Sequence, residues 1–209
     1  FRVEFYCDIY ITGSNAKLLS GELATYLAGR YVEFVIYPFS FREFLEMNQS
    51  EESHPDVMSL FQKYLLQGGM PFLANLSGNQ LAINQYLQDV YNSVVLKDVV
   101  KRNSIRDVDL LERIITYVLA NIGHPFSATS ISKYLKNENR KVSHDTVLNY
   151  IKACEEAFLF YRVSRKDLVG KKLLSVNEKY YVVDHGLREA VYGKNTVNID
   201  QILENVVYM

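Results

Sequence analysis

The chain has 209 residues, 48% of them hydrophobic, which is enough apolar material for one large or two small folded units and argues against disorder. A formal net charge of -1 excludes a global electrostatic signature, so any contact with nucleic acid or another polyanion has to be a local patch. Its two cysteines, Cys7 and Cys154, are far apart and have no second ligand at metal spacing, so both are expected to be reduced core residues, with no metal site.

In chain order, FYCDIYIT (5–12) is a short β-branched and aromatic run that predicts a buried strand. It ends in a polar corner, Thr12-Gly13-Ser14-Asn15. Ser14 or Asn15 is positioned to cap a helix carrying Leu18, Leu19, Leu23 and Leu27, which closes at Gly29-Arg30. YVEFVIYP (31–38) predicts a second strand, so residues 5–38 read as a βαβ unit.

Ser40 and Glu43 form a Ser-x-x-Glu capping box. His54-Pro55-Asp56 opens a further helix bearing Phe61, Tyr64 and Leu65, which Gly68-Gly69 stops. A long helix is expected from about Asn79 to Val100, and an Asp-capped helix over 107–124. Capped helices follow over 127–137 and 143–157, then strands at 158–163 and 179–184. Three helices followed by a hairpin is the order of a winged helix-turn-helix. The last helix, 143–157, is expected to bury Val147, Leu148, Ile151 and Cys154.

Charge divides along the same lines. Residues 1–53 carry four Lys/Arg against eight Asp/Glu, whereas residues 124–184 carry eleven against seven. The basic excess gathers at the hairpin: Arg162, Arg165, Lys166, Lys171 and Lys172. Thr146, Asn149, Tyr150 and Lys152 are expected to face outward on the preceding helix. Asn and Thr can read base edges, and Tyr can reach a phosphate. Asp145, Glu155 and Glu156 make that helix weakly basic, so a protein-docking hairpin stands beside the DNA reading.

No Gly-x-x-x-x-Gly-Lys-[Ser/Thr] loop is present, because neither Gly170-Lys171 nor Gly193-Lys194 has the preceding pattern. Asp8 does not read as a magnesium-holding residue. Asp184-His185 has no nucleophile placed near it, and Asp184 is expected to cap the helix GLREAVYG.

The stretches ITGSNAKLLSGELATYLAGR, YVEFVIYPFSFREFLE, YLLQGGMP and KYYVVDHGL together resemble the bacterial and archaeal AAA-superfamily P-loop ATPases that carry a winged-helix segment after the nucleotide core. The resemblance implies a mainly α fold with some β. Residues 1–39 would be the end of the ATPase core, 40–103 a helical lid-like region, 104–193 a winged helix, and 194–209 the start of a restriction-endonuclease-like domain. It further implies that Thr12, with Ser14 and Asn15, forms a sensor for the γ-phosphate, and that Arg30 is an arginine finger. The residue-level alternatives are a helix cap at Ser14 and Asn15 and a C-terminal helix cap at Arg30.

ATP and Mg²⁺ would be cofactors of a longer parent and not of this chain, which is expected to be inactive alone. Duplex DNA and a homo-oligomer formed through the core would be the partners. A cytoplasmic location without membrane contact is expected. The alternative function is a non-enzymatic winged-helix regulator or protein-interaction module. An isolated βαβ remnant would leave open strand edges, to be filled by another copy or by rearrangement.

Overall fold

The structure, a computed structural model, describes residues 8–15, 30–48, 56–76, 78–166, 173–193 and 199–209. It is mainly helical, with a single two-stranded antiparallel sheet among the described residues. The helices are α1 Phe41–Asn48, α2 Val57–Gln67, α3 Gln80–Ser93, α4 Val108–Ala120, α5 Ala128–Asn137, α6 His144–Glu156, α7 His185–Tyr192 and α8 Ile199–Tyr208. Strand β1 spans Phe160–Lys166 and β2 spans Leu173–Val182. A 3₁₀ turn over Pro71–Leu76 leads into α3, and α3 continues without interruption as a π-helix over Val94–Lys101.

Side-chain caps set the helix starts. Asp56, Asn79, Asp107, Ser127, Ser143 and Asp184 each accept from amides in the first turn of the helix they precede. At α1 the box closes as expected: the Ser40 amide donates to Glu43 Oε2 at 2.8 Å, and the Glu43 amide donates to Ser40 Oγ at 3.4 Å. The Ser40 hydroxyl, which donates to Glu43 Oε2 at 2.7 Å, and the Ser40 amide together hold the Glu43 carboxyl below its ordinary value.

The main core lies between α3, its π-helical extension, α4, α5, α6, the hairpin and α7. Leu111, Ile115, Val118, Ile122, Ile131, Leu135, Val147 and Cys154 are wholly buried there. α4 supplies the largest share of any helix, six residues from Leu110 to Leu119, because its apolar residues recur at helical spacing along one face. A smaller cluster of Phe44, Leu60 and Tyr64 joins α1 to α2.

In the hairpin Phe160 pairs with Val182 and Tyr161 with Tyr181, and the register shifts between Val163 and Arg165. The α4–α5 link adds two backbone bonds to β2, Gly123 N to Tyr180 O at 3.0 Å and Phe126 N to Glu178 O at 3.1 Å. Helix α8 also lies against β2: Asn205, almost fully buried, accepts from Val182 N at 2.8 Å and donates to Val182 O at 3.0 Å. Its side-chain amide thereby takes the place of a neighbouring strand.

Several expectations need correction. Residues 8–13 and 31–40 form no strand; they run without ladder partners, and the anticipated helix between them lies outside the described residues, as does Cys7. Residues on both alternating faces of the second segment are exposed, Val32, Phe34 and Ile36 on one and Tyr31, Val35 and Tyr37 on the other. A stretch apolar on both faces suits the interior of a parallel sheet, and nothing among the described residues supplies the flanking strands. The first hairpin strand starts at Phe160 and not at 158, because Ala157–Phe158 turns the chain out of α6 with Phe158 at φ 56°. The second begins earlier than expected, at Leu173. Leu148 is exposed at 39%, while its neighbours Val147 and Ile151 take the core face of α6.

Candidate functional site

Two of the sequence stretches singled out above, YLLQGGMP and KYYVVDHGL, meet in space. Asp184 accepts from Leu187 N through Oδ1 at 3.2 Å, capping α7, and from Gly69 N through Oδ2 at 2.7 Å. His185 Nε2 donates to Tyr64 O at 2.6 Å, and the two rings sit edge to face 4.8 Å apart. Tyr64 donates its hydroxyl to Phe39 O at 3.0 Å, and Phe39 N donates to Gly69 O at 2.7 Å. Burial, with Asp184 and Glu43 nearby, pushes the Tyr64 phenol up to about 12.

The glycines are required sterically. A Cβ on Gly69 would lie 2.0 Å from Phe39 O, and one on Gly186 would lie 2.0 Å from Gln67 O. This junction fastens the end of the extended segment to the α2–α7 pair, and its groups are occupied with one another. Its chemistry is structural.

The polar corner lies elsewhere. Thr12 is exposed, whereas Asn15 is 5% exposed, and the Ser14 hydroxyl donates to Asp98 Oδ2 at 3.1 Å. The other oxygen of Asp98 accepts from Arg102 Nε at 3.0 Å. Asn15, Arg102, Asn103 and Glu156 line a cleft of about 290 Å³. Arg30 is exposed. The structure thus brings Ser14 and Asn15 to the end of the long helix, a contact with Asp98 that sequence reasoning missed; a carboxylate among the valines of residues 94–100 was the available signal.

The expected nucleic-acid face is mixed. Asn149 and Lys152 are exposed, Tyr150 is half-buried against the core, and Thr146 is engaged by the α6 cap, its Oγ1 2.7 Å from Ser143 Oγ. Arg162 is shared between Glu155 at 3.4 Å and Glu178 at 3.6 Å. Burial raises the Glu155 carboxyl, and Arg162 opposes that rise. Arg165 and Lys166 lie on β1 opposite Leu174 and Leu173, and Lys171 and Lys172 lie outside the described residues.

Three cations not singled out earlier, Lys133 and Lys136 on α5 and Lys141 on the α5–α6 link, are exposed; with Lys152 they form no ion pair among the described residues. By contrast, Arg113 pairs with Asp109 and Glu138, and Arg140 with Asp107 and Asp109. The pattern of free and paired cations depends on packing, so sequence spacing could not show it.

Glu204 on α8 accepts from Lys179 Nζ and Tyr181 Oη, both at 2.7 Å. These bonds hold its carboxyl below the ordinary value. Tyr208 stacks on Tyr181 with centroids 4.0 Å apart. Among the described residues no group of three or more His, Cys, Asp or Glu is placed to hold a metal, and no helix is long and apolar enough to cross a membrane.

Comparisons with known proteins divide the chain at α1. Residues 2–45 match an AAA domain, and residues 58–198 match a domain of unknown function, DUF8612. An uncharacterized protein of Haemophilus influenzae is 39% identical over 208 residues, covering 100% of this chain and 52% of the relative. An uncharacterized protein of Methanocaldococcus jannaschii is 28% identical over 211 residues, covering 97% of this chain and 46% of that protein. The chain therefore spans about half the length of these curated relatives. No solved structure matches it. The AAA match gives the N-terminal segment an ATPase-like character, and the match from α2 to just beyond α7 shows that the chain belongs to the family defined by DUF8612.

Proposed function

We propose that the chain is the C-terminal portion of a P-loop ATPase in which ATP binding and hydrolysis are coupled to duplex DNA binding by a winged helix-turn-helix built from α4, α5, α6 and the hairpin. The observation that carries this reading is the order of elements: an AAA-like segment is followed, after α2 and the long helix α3 with its π-helical extension, by three capped helices and a hairpin. The backbone bonds from Gly123 and Phe126 to β2 support the winged arrangement, since they tie the α4–α5 link to the wing through an isolated bridge.

In the intact protein Thr12, Ser14 and Asn15 sense the γ-phosphate and Arg30 serves as the finger, with ATP and Mg²⁺ held by residues outside this chain. The isolated chain has no phosphate loop and does not turn over ATP. Hydrolysis by the purified chain that survives Thr12→Ala and Arg30→Ala would sink this assignment.

DNA binding is carried by Lys133, Lys136, Lys141 and Lys152 together with Arg165, Lys166, Lys171 and Lys172; Arg162 contributes less because its charge is already shared by two carboxylates. Fluorescence anisotropy with a labelled duplex across a salt series tests this. Each phosphate-neutralising cation replaced by alanine lowers the log–log salt slope by about 0.9. Absence of binding at low salt, or binding indifferent to both lysine sets, refutes it.

A second reading, docking of a protein partner, is favoured by one observation: α6 exposes Leu148 beside the acidic Asp145. Capture of a partner that is abolished by Leu148→Asp, with no DNA binding, would select that reading.

A further inference from the structure

The polar corner and the end of helix α6 meet on one short seam. Ser14 donates to Asp98, Asp98 also accepts from Arg102, and Asn15, Arg102, Asn103 and Glu156 line a common cleft, Glu156 being the last residue of α6. Asp98 is 8% exposed, so its carboxyl is held by these partners with little help from water.

Asp98 lies within the π-helical stretch Val94–Lys101, and the i→i+5 pattern continues past it in the bond from Ile105 N to Val100 O at 3.1 Å. Eight residues is long for a π-helix, which ordinarily occurs as a single turn inside an α-helix and is frequent at functional sites. The α-helical winding of the same residues is the alternative arrangement for such a segment. Rewinding one π turn to α displaces every following side chain by one residue around the axis, about 100° at 3.6 residues per turn. Arg102 and Asn103, which line the cleft with Glu156, directly follow the segment.

We propose that the Ser14–Asp98 bond is a latch through which the corner sets the winding of Val94–Lys101, and with it the seating of the C-terminal end of α6. This rests on the functional reading above and deepens it: a change at a nucleotide-sensing corner reaches the DNA-facing helix through one hydrogen bond and one rewindable turn. A switch of this kind needs an element with two discrete arrangements that both sites bias, and the π segment is that element.

The test uses the 209-residue chain with Ser14→Ala, Asp98→Ala and the double variant, read by hydrogen exchange. Losing one such bond raises exchange at residues 94–103 roughly 2- to 12-fold, from a net worth of about 0.5–1.5 kcal/mol, while α4 amides stay unchanged. Because both variants break the same bond, the double variant exchanges no faster than the faster single one, and the Cys154–Ala157 amides change in parallel. Unchanged exchange at 94–103 in Ser14→Ala, or effects that multiply in the double variant, overturns the latch. A response at 94–103 without one at 154–157 overturns the transmission to α6. Ser14→Ala carries the experiment if Asp98→Ala does not fold. Failure of the wild-type chain to bind duplex DNA refutes the DNA reading alone, since the exchange readouts need no nucleic acid.

Discussion

Replacing Asp184 with alanine removes two acceptors at once from a site that is 2% exposed. The first loss is the α7 cap, the bond from Leu187 N, whose removal costs about 1 kcal/mol in typical helices. The second is the partner of the Gly69 amide, a donor that has no water to turn to; an orphaned buried group costs about 1–3 kcal/mol. Together these amount to about 2–4 kcal/mol, or roughly 4–16 °C in Tm for a chain of this size.

Urea denaturation followed by far-ultraviolet circular dichroism checks the figure. Asp184→Asn is expected to fall between wild type and alanine, since its single carbonyl oxygen can serve only one of the two amides. A loss below about 0.5 kcal/mol for Asp184→Ala, comparable to a neutral surface change, would show that the junction of Gly69, Tyr64, His185 and Phe39 does not depend on this side chain.

Gly69→Ala places a methyl group 2.0 Å from Phe39 O and should release the extended segment, seen as faster hydrogen exchange at Phe39 with the α4 amides protected as before. Tyr64 has its phenol raised to about 12, so its contribution is complete below its ordinary value of 10 and is lost as pH rises through about 12; Tyr64→Phe should abolish that alkaline loss. Glu204 has the opposite sign. Its carboxyl is depressed by Lys179 and Tyr181, so the docking of α8 is fully supported above the ordinary 4.5 and weakens as pH falls below it, which exchange at Asn205 can follow and Glu204→Gln should remove. Cys154 is wholly buried and burial raises its thiol, so it should be silent to a thiol reagent in the native chain and react stoichiometrically on unfolding.

Much of the architecture follows from local chemistry. Asp56, Asn79, Asp107, Ser127 and Ser143 are caps because a short polar side chain before an apolar run can satisfy first-turn amides wherever that run ends up, and α4 is amphipathic because its apolar spacing matches the helical repeat. The Ser40–Glu43 box is likewise complete within four residues. These features depend on neighbours in sequence, so they were legible there.

Features that depend on residues far apart were not legible. Strand character in residues 8–13 and 31–38 needs partner strands, and without them the same residues run extended with both faces exposed. Arg162 read as a free cation until Glu155 and Glu178 closed on it, and Leu148 read as core until Val147 and Ile151 took that face. Ser14 read as a helix cap or a phosphate sensor, while its hydrogen bond crosses 84 positions to Asp98. Residue order alone was enough to place the capped helix starts, the buried face of α4 and the basic excess of the C-terminal half. Which charges remain free and which polar groups meet emerged only on folding in three dimensions, because pairing and desolvation are set by distance in space and not along the chain.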